Sequence, residues 1–300
     1  MRAASLNYRD LKIVKGAYAR KPDLPVVLLS DGAGEVVETG PGVRKFAAGD
    51  RVLPIYMSGW HSGPLSERHS GWKSLGGDVD GVAREFATFN EEDLLPIPAS
   101  LSFEQAACLP CAAVTAWHGL VAAGRVKAGD WVLVMGSGGV SLFALQIALL
   151  HGARVVAVSS DDEKLERLRE VGASAGVNYT TTPAWGDEVR RLTGDGVDQV
   201  VELGGARTIE QSLRATRDSG HIALIGDLSG QPGSADAAER GIAMTRIVVG
   251  SRQMTADLLR AIDLHGAMPT IDRTFSFDDL KGALAHLESG QHFGKVVISF

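Results

Sequence analysis

Cysteine is almost missing. The 300-residue chain has two, Cys108 and Cys111, too few for a disulfide framework. Basic residues are not in excess: 30 Lys plus Arg stand against 36 Asp plus Glu, a formal net charge of −6. A dedicated nucleic-acid binder would carry a basic face instead. Unbroken apolar runs of membrane length are also lacking. Residues 131–150 carry no charge, and length alone would suit a spanning helix. Gly136-Ser137-Gly138-Gly139 interrupts them, so a buried strand, a turn and a helix fit this stretch better. Residues 1–10 hold no apolar core of the signal-peptide kind, and a cytoplasmic location is expected. No internal repeat and no long linker is visible.

What is present is ordinary globular material, 45% hydrophobic and 22% charged, in a chain long enough for about two domains. Such a chain can bury a large core without disulfides or a structural metal. Glycine is abundant at 36 residues, a sign of tight turns and close backbone approaches. Residues 1–100 read mostly as β, with short runs at 26–29, 34–39 and 51–55 separated by Gly, Pro and Asp turns. From about residue 102 the pattern changes. Residues 103–123 look helical, and strands at 131–135, 154–159, 176–179, 198–203, 221–226 and 246–251 follow. Helical stretches lie between most of them, at 140–150, 162–171 and 209–216 among others. This alternation predicts an α/β fold, a doubly wound parallel sheet covered on both faces, and six strands are the size of a complete dinucleotide-binding sheet. After Gly266 the chain reads as β, then helix 278–288, then strand 295–300. Residues 58–81, rich in Gly, Ser, Trp and His, read as a long surface loop.

The strongest local motif is the apolar run 131–135 followed by Gly136, Ser137, Gly138, Gly139 and Val140. The first glycine permits a tight turn and the second lets the backbone approach a pyrophosphate. The helix N-terminus then offers free N–H groups to that phosphate. Ser141 stands where a third glycine is usual. An ordinary strand–helix turn would look similar, but the strand–helix–strand context favours coenzyme binding. At the end of the next strand, where an acid commonly meets the ribose 2′-OH, the chain has Ser159, then Ser160, and Lys164 a little further on. Two hydroxyls and a lysine suit a 2′-phosphate, so NADPH is expected over NADH, with NAD possible. Asp161 and Asp162 count against this, since either could bind a ribose or repel a phosphate, and Lys164 could be a solvated helix-face lysine.

Taken in order, Ser5-Leu6-Asn7-Tyr8-Arg9-Asp10, Ser30-Asp31-Gly32-Ala33-Gly34-Glu35-Val36, Gly49-Asp50-Arg51-Val52, Leu109-Pro110-Cys111, Thr115-Ala116-Trp117, residues 136–143 and Phe293-Gly294-Lys295-Val296-Val297 resemble the medium-chain dehydrogenase/reductase superfamily. The likeness is greatest to its zinc-independent, quinone-oxidoreductase-like branch, whose members are often labelled alcohol dehydrogenases. The resemblance implies a GroES-like catalytic domain over residues 1–100, a Rossmann domain over 101–265 and a return to the catalytic domain over 266–300, with the active site in the cleft between domains. It implies a homodimer through the last Rossmann strand, read here as 246–251, and a small-molecule substrate. Thr115 is implied near the nicotinamide, and Tyr179, Gly226, Gly250 and Ser251 complete the candidate coenzyme set. Relatives carry a strand-rich arm before the segment matching residues 1–10. Without that arm the β domain is expected to be N-terminally truncated, with exposed strand edges and weakened stability.

The resemblance also bears on metal. Zinc-dependent members have a Cys where this chain has Asn7 or its neighbour, and a His-Glu where it has Ser30-Asp31; only Cys111 is kept. One cysteine cannot supply the three or so protein ligands of a catalytic zinc, and no zinc is expected. Cys108 and Cys111 read instead as small buried residues at a helix start. Without a metal, hydride transfer suits an acceptor that spreads its own charge, a quinone or an enone, with hydrogen-bond donors on the developing oxyanion. The resemblance makes Asn7, Tyr8 and Tyr18 the candidate donors. Each could equally be structural, Asn7 in a tight turn and the tyrosines in the β domain. Trp60 and Trp72, with the histidines of their loop, would roof a substrate cleft or form a plain surface excursion. The alternatives to a metal-free reductase are a zinc-type alcohol dehydrogenase and a non-catalytic NADPH-binding protein.

Overall fold

A computed structural model describes residues 1–18, 22–65, 73–226 and 235–300. The chain forms two units, Thr115–Val248 and a second made of Met1–Val114 with Val249–Phe300. The expected Rossmann domain 101–265 is therefore longer than the observed unit at both ends. The helical turns before Val114 pack on the strands Ala3–Ser5 and Asp31–Glu35, and the helix Arg252–His265 packs against residues Leu109–Ala113.

In the unit Thr115–Val248, apolar runs that are buried on both faces become parallel strands. Val132, Leu133, Val134, Val155, Val156 and Ala157 are all fully buried. The sheet order is Ala243–Arg246, Thr216–Leu224, Val197–Glu202, Trp131–Met135, Arg154–Ser159, Ala175–Asn178, and every neighbouring pair is parallel. Strand order reverses between Trp131–Met135 and Val197–Glu202, which creates a topological switch point. On one face Leu133, Val156 and Val200 pack with Trp185 and Val189 of the helix Trp185–Thr193 and Leu213 of the helix Ile209–Ala215.

The last strand corrects the sequence reading. It spans Ala243–Arg246, not 246–251. Its register runs from His221↔Ala243 to Leu224↔Arg246, and the neighbour's strand ends at Leu224. Ile247 N makes one more bond, to Leu224 O. Val249 then takes a positive φ of 41°, and Ser251 caps the helix Arg252–His265.

The other unit holds a six-stranded sheet in the order Ile271–Ser276, Lys295–Ser299, Ala3–Ser5, Asp31–Glu35, Arg51–Pro54, Leu94–Pro96. Its core joins Ala4, Leu6, Val296 and Ile298 from the sheet to Leu11, Leu29, Ala283 and Leu287. The β run expected at 26–29 lies outside the sheet. Its backbone bonds instead to residues 81–83, and Leu29 has a positive φ of 67°. The run expected at 34–39 is the strand Asp31–Glu35. Sequence reading missed the helix Tyr8–Val14. Its signal was Asn7 three residues before Asp10: Asp10 Oδ2 accepts from Asn7 N at 2.8 Å, half of a capping box. Among the described residues no helix is long and apolar enough to cross a membrane.

Candidate active site

Most of the candidate coenzyme residues, though not Thr115, Gly250 or Ser251, collect at the C-terminal ends of the parallel strands. Gly136 has φ +70°, a conformation that favours glycine, and its N–H bonds Val158 O at 2.6 Å. Gly138, extended, precedes the helix Gly139–Leu150 without a side-chain cap. The first intrahelical bond runs from Leu142 N to Gly138 O, so the N–H groups of Gly139, Val140 and Ser141 face outward along the axis. Ser137 is buried at 5% exposure. The Ser141 hydroxyl donates to Met135 O, tying the helix start to the strand end where a third glycine would only have packed. This turn fits a pyrophosphate.

At the next strand end Ser159 is buried, and its Oγ accepts from Asp161 N at 3.3 Å. Asp161 is the N-cap of the helix Asp162–Glu170, its Oδ1 accepting from Glu163 N at 2.9 Å and Lys164 N at 3.2 Å. That carboxylate, an open question in the sequence, is engaged in capping. Ser160 is exposed and Lys164 half-buried in the first helical turn. Tyr179 is largely exposed, its N–H on Ser159 O at 3.0 Å. Gly226 N bonds Glu202 O at 3.0 Å, and a Cβ at Gly226 would stand 2.5 Å from Gly205 N. Thr115 is buried in the short helix Val114–Trp117. Gly250 and Ser251 fall in the other unit, where Ser251 Oγ accepts from Met254 N as a helix cap.

Sequence reasoning missed Glu202. It is fully buried at the end of Val197–Glu202, and its Oε1 accepts from Gly204 N at 2.7 Å, Gly205 N at 2.9 Å and Thr208 Oγ1 at 2.6 Å. Its Oε2 accepts from Ser212 Oγ. Four donors on one carboxylate fix the strand-end loop beside Gly226. The available signal was an acid closing an apolar strand one residue before a pair of glycines.

The second cluster lies in the unit containing both chain ends. The resemblance puts the ligands of zinc-dependent relatives at Asn7 or its neighbour, Ser30 and Cys111, and the Asn7 and Ser30 side chains are bonded elsewhere. Lys295, 3% exposed, donates from Nζ to Asn7 Oδ1 at 2.7 Å and to Leu6 O at 2.6 Å, and stands 3.8 Å from Asp31 Oδ2. Fully buried Asp31 accepts from Ser30 Oγ at 2.7 Å and from Cys111 N at 3.1 Å. Burial, with Asp31 beside it, pushes the Cys111 thiol pKa well up. Cys108 is pushed up to about 12 by burial. Among the described residues no group of three or more His, Cys, Asp and Glu is placed to hold a metal ion. This donor set does not fit a catalytic zinc.

Around this cluster lie Arg9 and Asp10. Burial pushes the Asp10 carboxyl up to about 6 against the opposing pull of Arg9. The Arg9 guanidinium carbon is 5.2 Å from the Tyr18 ring centroid and 5.0 Å from that of Tyr56. Of the three candidate donors, Asn7 is therefore within the cluster and Tyr18 flanks it through Arg9. Tyr8 is on the surface, 68% exposed, with Lys12 Nζ over its ring. Trp60 is fully buried, its Nε1 donating to Gly63 O at 3.0 Å, which is a structural post; Trp72 and His69 lie outside the described residues.

Residues 139–268 match the family model described as zinc-binding dehydrogenase, and residues 1–99 that of the alcohol dehydrogenase GroES-like domain. A zinc-type alcohol dehydrogenase-like protein of Schizosaccharomyces pombe is 40% identical over 310 residues, covering 99% of this chain and 89% of that protein. A quinone oxidoreductase of Rattus norvegicus is 28% identical over 308 residues, covering 99% and 86%. Among solved structures, an alcohol dehydrogenase candidate from Sinorhizobium meliloti 1021 superposes with a TM-score of 0.93 at 39% identity, covering 100% of this chain and 89% of that one. An NAD-dependent alcohol dehydrogenase gives 0.89 at 36%, with 100% and 90% covered. A mycobacterial protein complexed with NADPH gives 0.81 at 28%, with 100% and 89% covered.

Proposed function

The chain belongs to the medium-chain dehydrogenase/reductase superfamily and is an oxidoreductase of that family; from that premise we propose that it passes hydride from NADPH to a conjugated carbonyl, a quinone or an enone, without a metal. The observation that carries this reading is the Lys295 ammonium on Asn7 Oδ1. A zinc ion there would meet a fixed cation, an amide and a hydroxyl already bonded, and a single thiol. A saturated carbonyl concentrates the incoming charge on one oxygen and calls for a Lewis acid or a proton donor, whereas a conjugated acceptor delocalises that charge and is served by hydrogen-bond donors. NADPH, when bound, supplies the hydride. The N–H groups of Gly139, Val140 and Ser141 receive its pyrophosphate, Ser159, Ser160 and Lys164 its 2′-phosphate, and Asn7 and Tyr18 orient the acceptor.

The alcohol dehydrogenase names of several relatives favour a second reading, zinc-dependent interconversion of alcohols and ketones. Metal analysis of the purified protein, chelator treatment, and a panel of quinones, enones and secondary alcohols with both coenzymes separate the two. The expected result is chelator-resistant oxidation of NADPH by conjugated acceptors, with Cys111→Ser nearly silent. Stoichiometric, tightly bound zinc whose removal abolishes turnover gives the second reading. Coenzyme binding with no turnover on any acceptor makes this a binding protein.

A further inference from the structure

A cleft of about 480 Å³ opens on the unit that holds both chain ends, and none of the residues lining it belongs to the candidate coenzyme or acceptor set. Its charged lining is Lys45, Arg51 and Arg252 against Asp50. Lys45 is already paired with Glu92, and Asp50 Oδ2 accepts from Ala47 N at 2.8 Å within its own loop. The two arginines are half-buried, and among the described residues neither is paired with a carboxylate. Each rests one terminal nitrogen on a main-chain carbonyl: Arg51 Nη2 donates to Leu101 O at 2.5 Å and Arg252 Nη2 to Leu94 O at 3.1 Å. Among the described residues, buried Arg252 Nε has no hydrogen-bond partner. Regular elements hold both side chains. Arg51 opens the strand Arg51–Pro54, its O accepting from Ile97 N at 2.9 Å, and Arg252 opens the helix Arg252–His265, its N donating to Trp60 O at 2.9 Å.

Two guanidiniums that line one cleft without a carboxylate for either repel each other, and a buried donor of a charged group left unmet is costly. An anion shared by them offsets both effects, and the planar fork of arginine matches phosphate and carboxylate oxygens. Two cations call for a dianion. A phosphomonoester is one near neutral pH, with a second pKa of about 6, whereas a carboxylate carries a single charge. The cleft also has the size of a small-molecule site, more than a bare phosphate needs, and Phe46, Ile97 and Ala99 give it apolar walls. We propose that this cleft is a second small-molecule site, for an organic phosphomonoester whose dianionic head bridges Arg51 and Arg252 and whose apolar body lies on Phe46, Ile97 and Ala99. The site is independent of the hydride chemistry proposed above.

The probe is phenyl phosphate, titrated calorimetrically into the full chain. Wild type is expected to bind it saturably, with a Kd of about 1 mM or tighter. Arg51→Gln and Arg252→Gln should each weaken binding by about tenfold or more. Either change also removes an anchor on a main-chain carbonyl, so Ala99→Trp is the independent variant. Ala99 is exposed, and the larger ring fills the apolar wall while both arginines stay; it should cost a similar factor. Inorganic phosphate and benzoate, which offer the head without the body and a ring with a single charge, should each bind at least about tenfold more weakly than phenyl phosphate. No saturable binding by wild type, or equal affinity in all four proteins, overturns the proposal. Benzoate binding as tightly as phenyl phosphate overturns the dianionic head, and inorganic phosphate doing so overturns the organic body. Displacement of the probe by NADPH places it in the coenzyme site and overturns a separate one.

Discussion

Asp272 accepts from His286 Nε2 at 2.7 Å and from Phe293 N at 3.0 Å. Burial opposes its ionisation, but those two bonds outweigh it and hold the carboxyl below its ordinary value of 3.8. A carboxyl whose folded-state pKa is depressed contributes stability above its unfolded pKa and loses it as pH falls through the folded one. Asp272→Asn should therefore cost about 1 kcal/mol near neutrality, with the difference from wild type closing below roughly pH 4. Urea melts at several pH values check it, and a difference that stays constant down to pH ~2 would remove the linkage. At this scale the sequence was legible in kind and not in use. Arg9, Asp10 and Lys295 were readable as part of family-like motifs. That Lys295 is buried among Val296, Val297 and Ile298 with Asn7 and Asp31 as partners follows from pairing between residues 288 apart in sequence. Local pattern carries no information about such a contact, although a lysine opening an apolar strand is itself a signal of pairing.

Elements whose ends are set by local chemistry were read closely. The strands Trp131–Met135 and Arg154–Ser159 are observed as expected, because a turn or a charged residue bounds each apolar run. The strand expected at 246–251 was misplaced because Ile247, Val248 and Val249 prolong the apolar run beyond the point where register with Leu224 ends the ladder. Under the proposed reading the start of the helix Asp162–Glu170 carries the coenzyme choice: Asp161 caps it through Oδ1, and Ser159, Ser160 and Lys164 would meet the 2′-phosphate. A charge-assisted contact from Lys164 to a 2′-phosphate is worth about 1.5–3 kcal/mol, roughly ten- to a hundredfold in affinity. Lys164→Ala should weaken NADPH binding by that factor and leave NADH nearly unchanged. Paired titrations of wild type and variant with both coenzymes decide it: an equal loss for both reduces Lys164 to a surface lysine, and tighter NADH binding by wild type reverses the assignment.

At the scale of the molecule the two-unit organisation was visible as the change of pattern near residue 102, while the boundary between Val114 and Thr115 was not. The helical run 103–123 crosses that boundary without a break in composition. The homodimer expected from the sequence remains a proposal, and sheet order offers a place for it. Among the described residues Ala243–Arg246 is an edge strand paired on one side, with Thr216–Leu224, and Met244 and Thr245 on it are half-buried. Such an edge is a template for pairing with another chain unless something blunts it, and a second copy is the partner proposed here. Two-fold pairing of this strand would bring Met244 close to its own counterpart, where like charges repel. Met244→Lys should therefore convert a dimer into a monomer of 31.7 kDa; because Met244 also packs against the buried core of the sheet, the thermal transition should fall as well, and the change of mass is what tests the contact. Sedimentation equilibrium of wild type and variant reads the outcome. A wild-type monomer, or a dimer indifferent to the substitution, would place the contact elsewhere on the molecule.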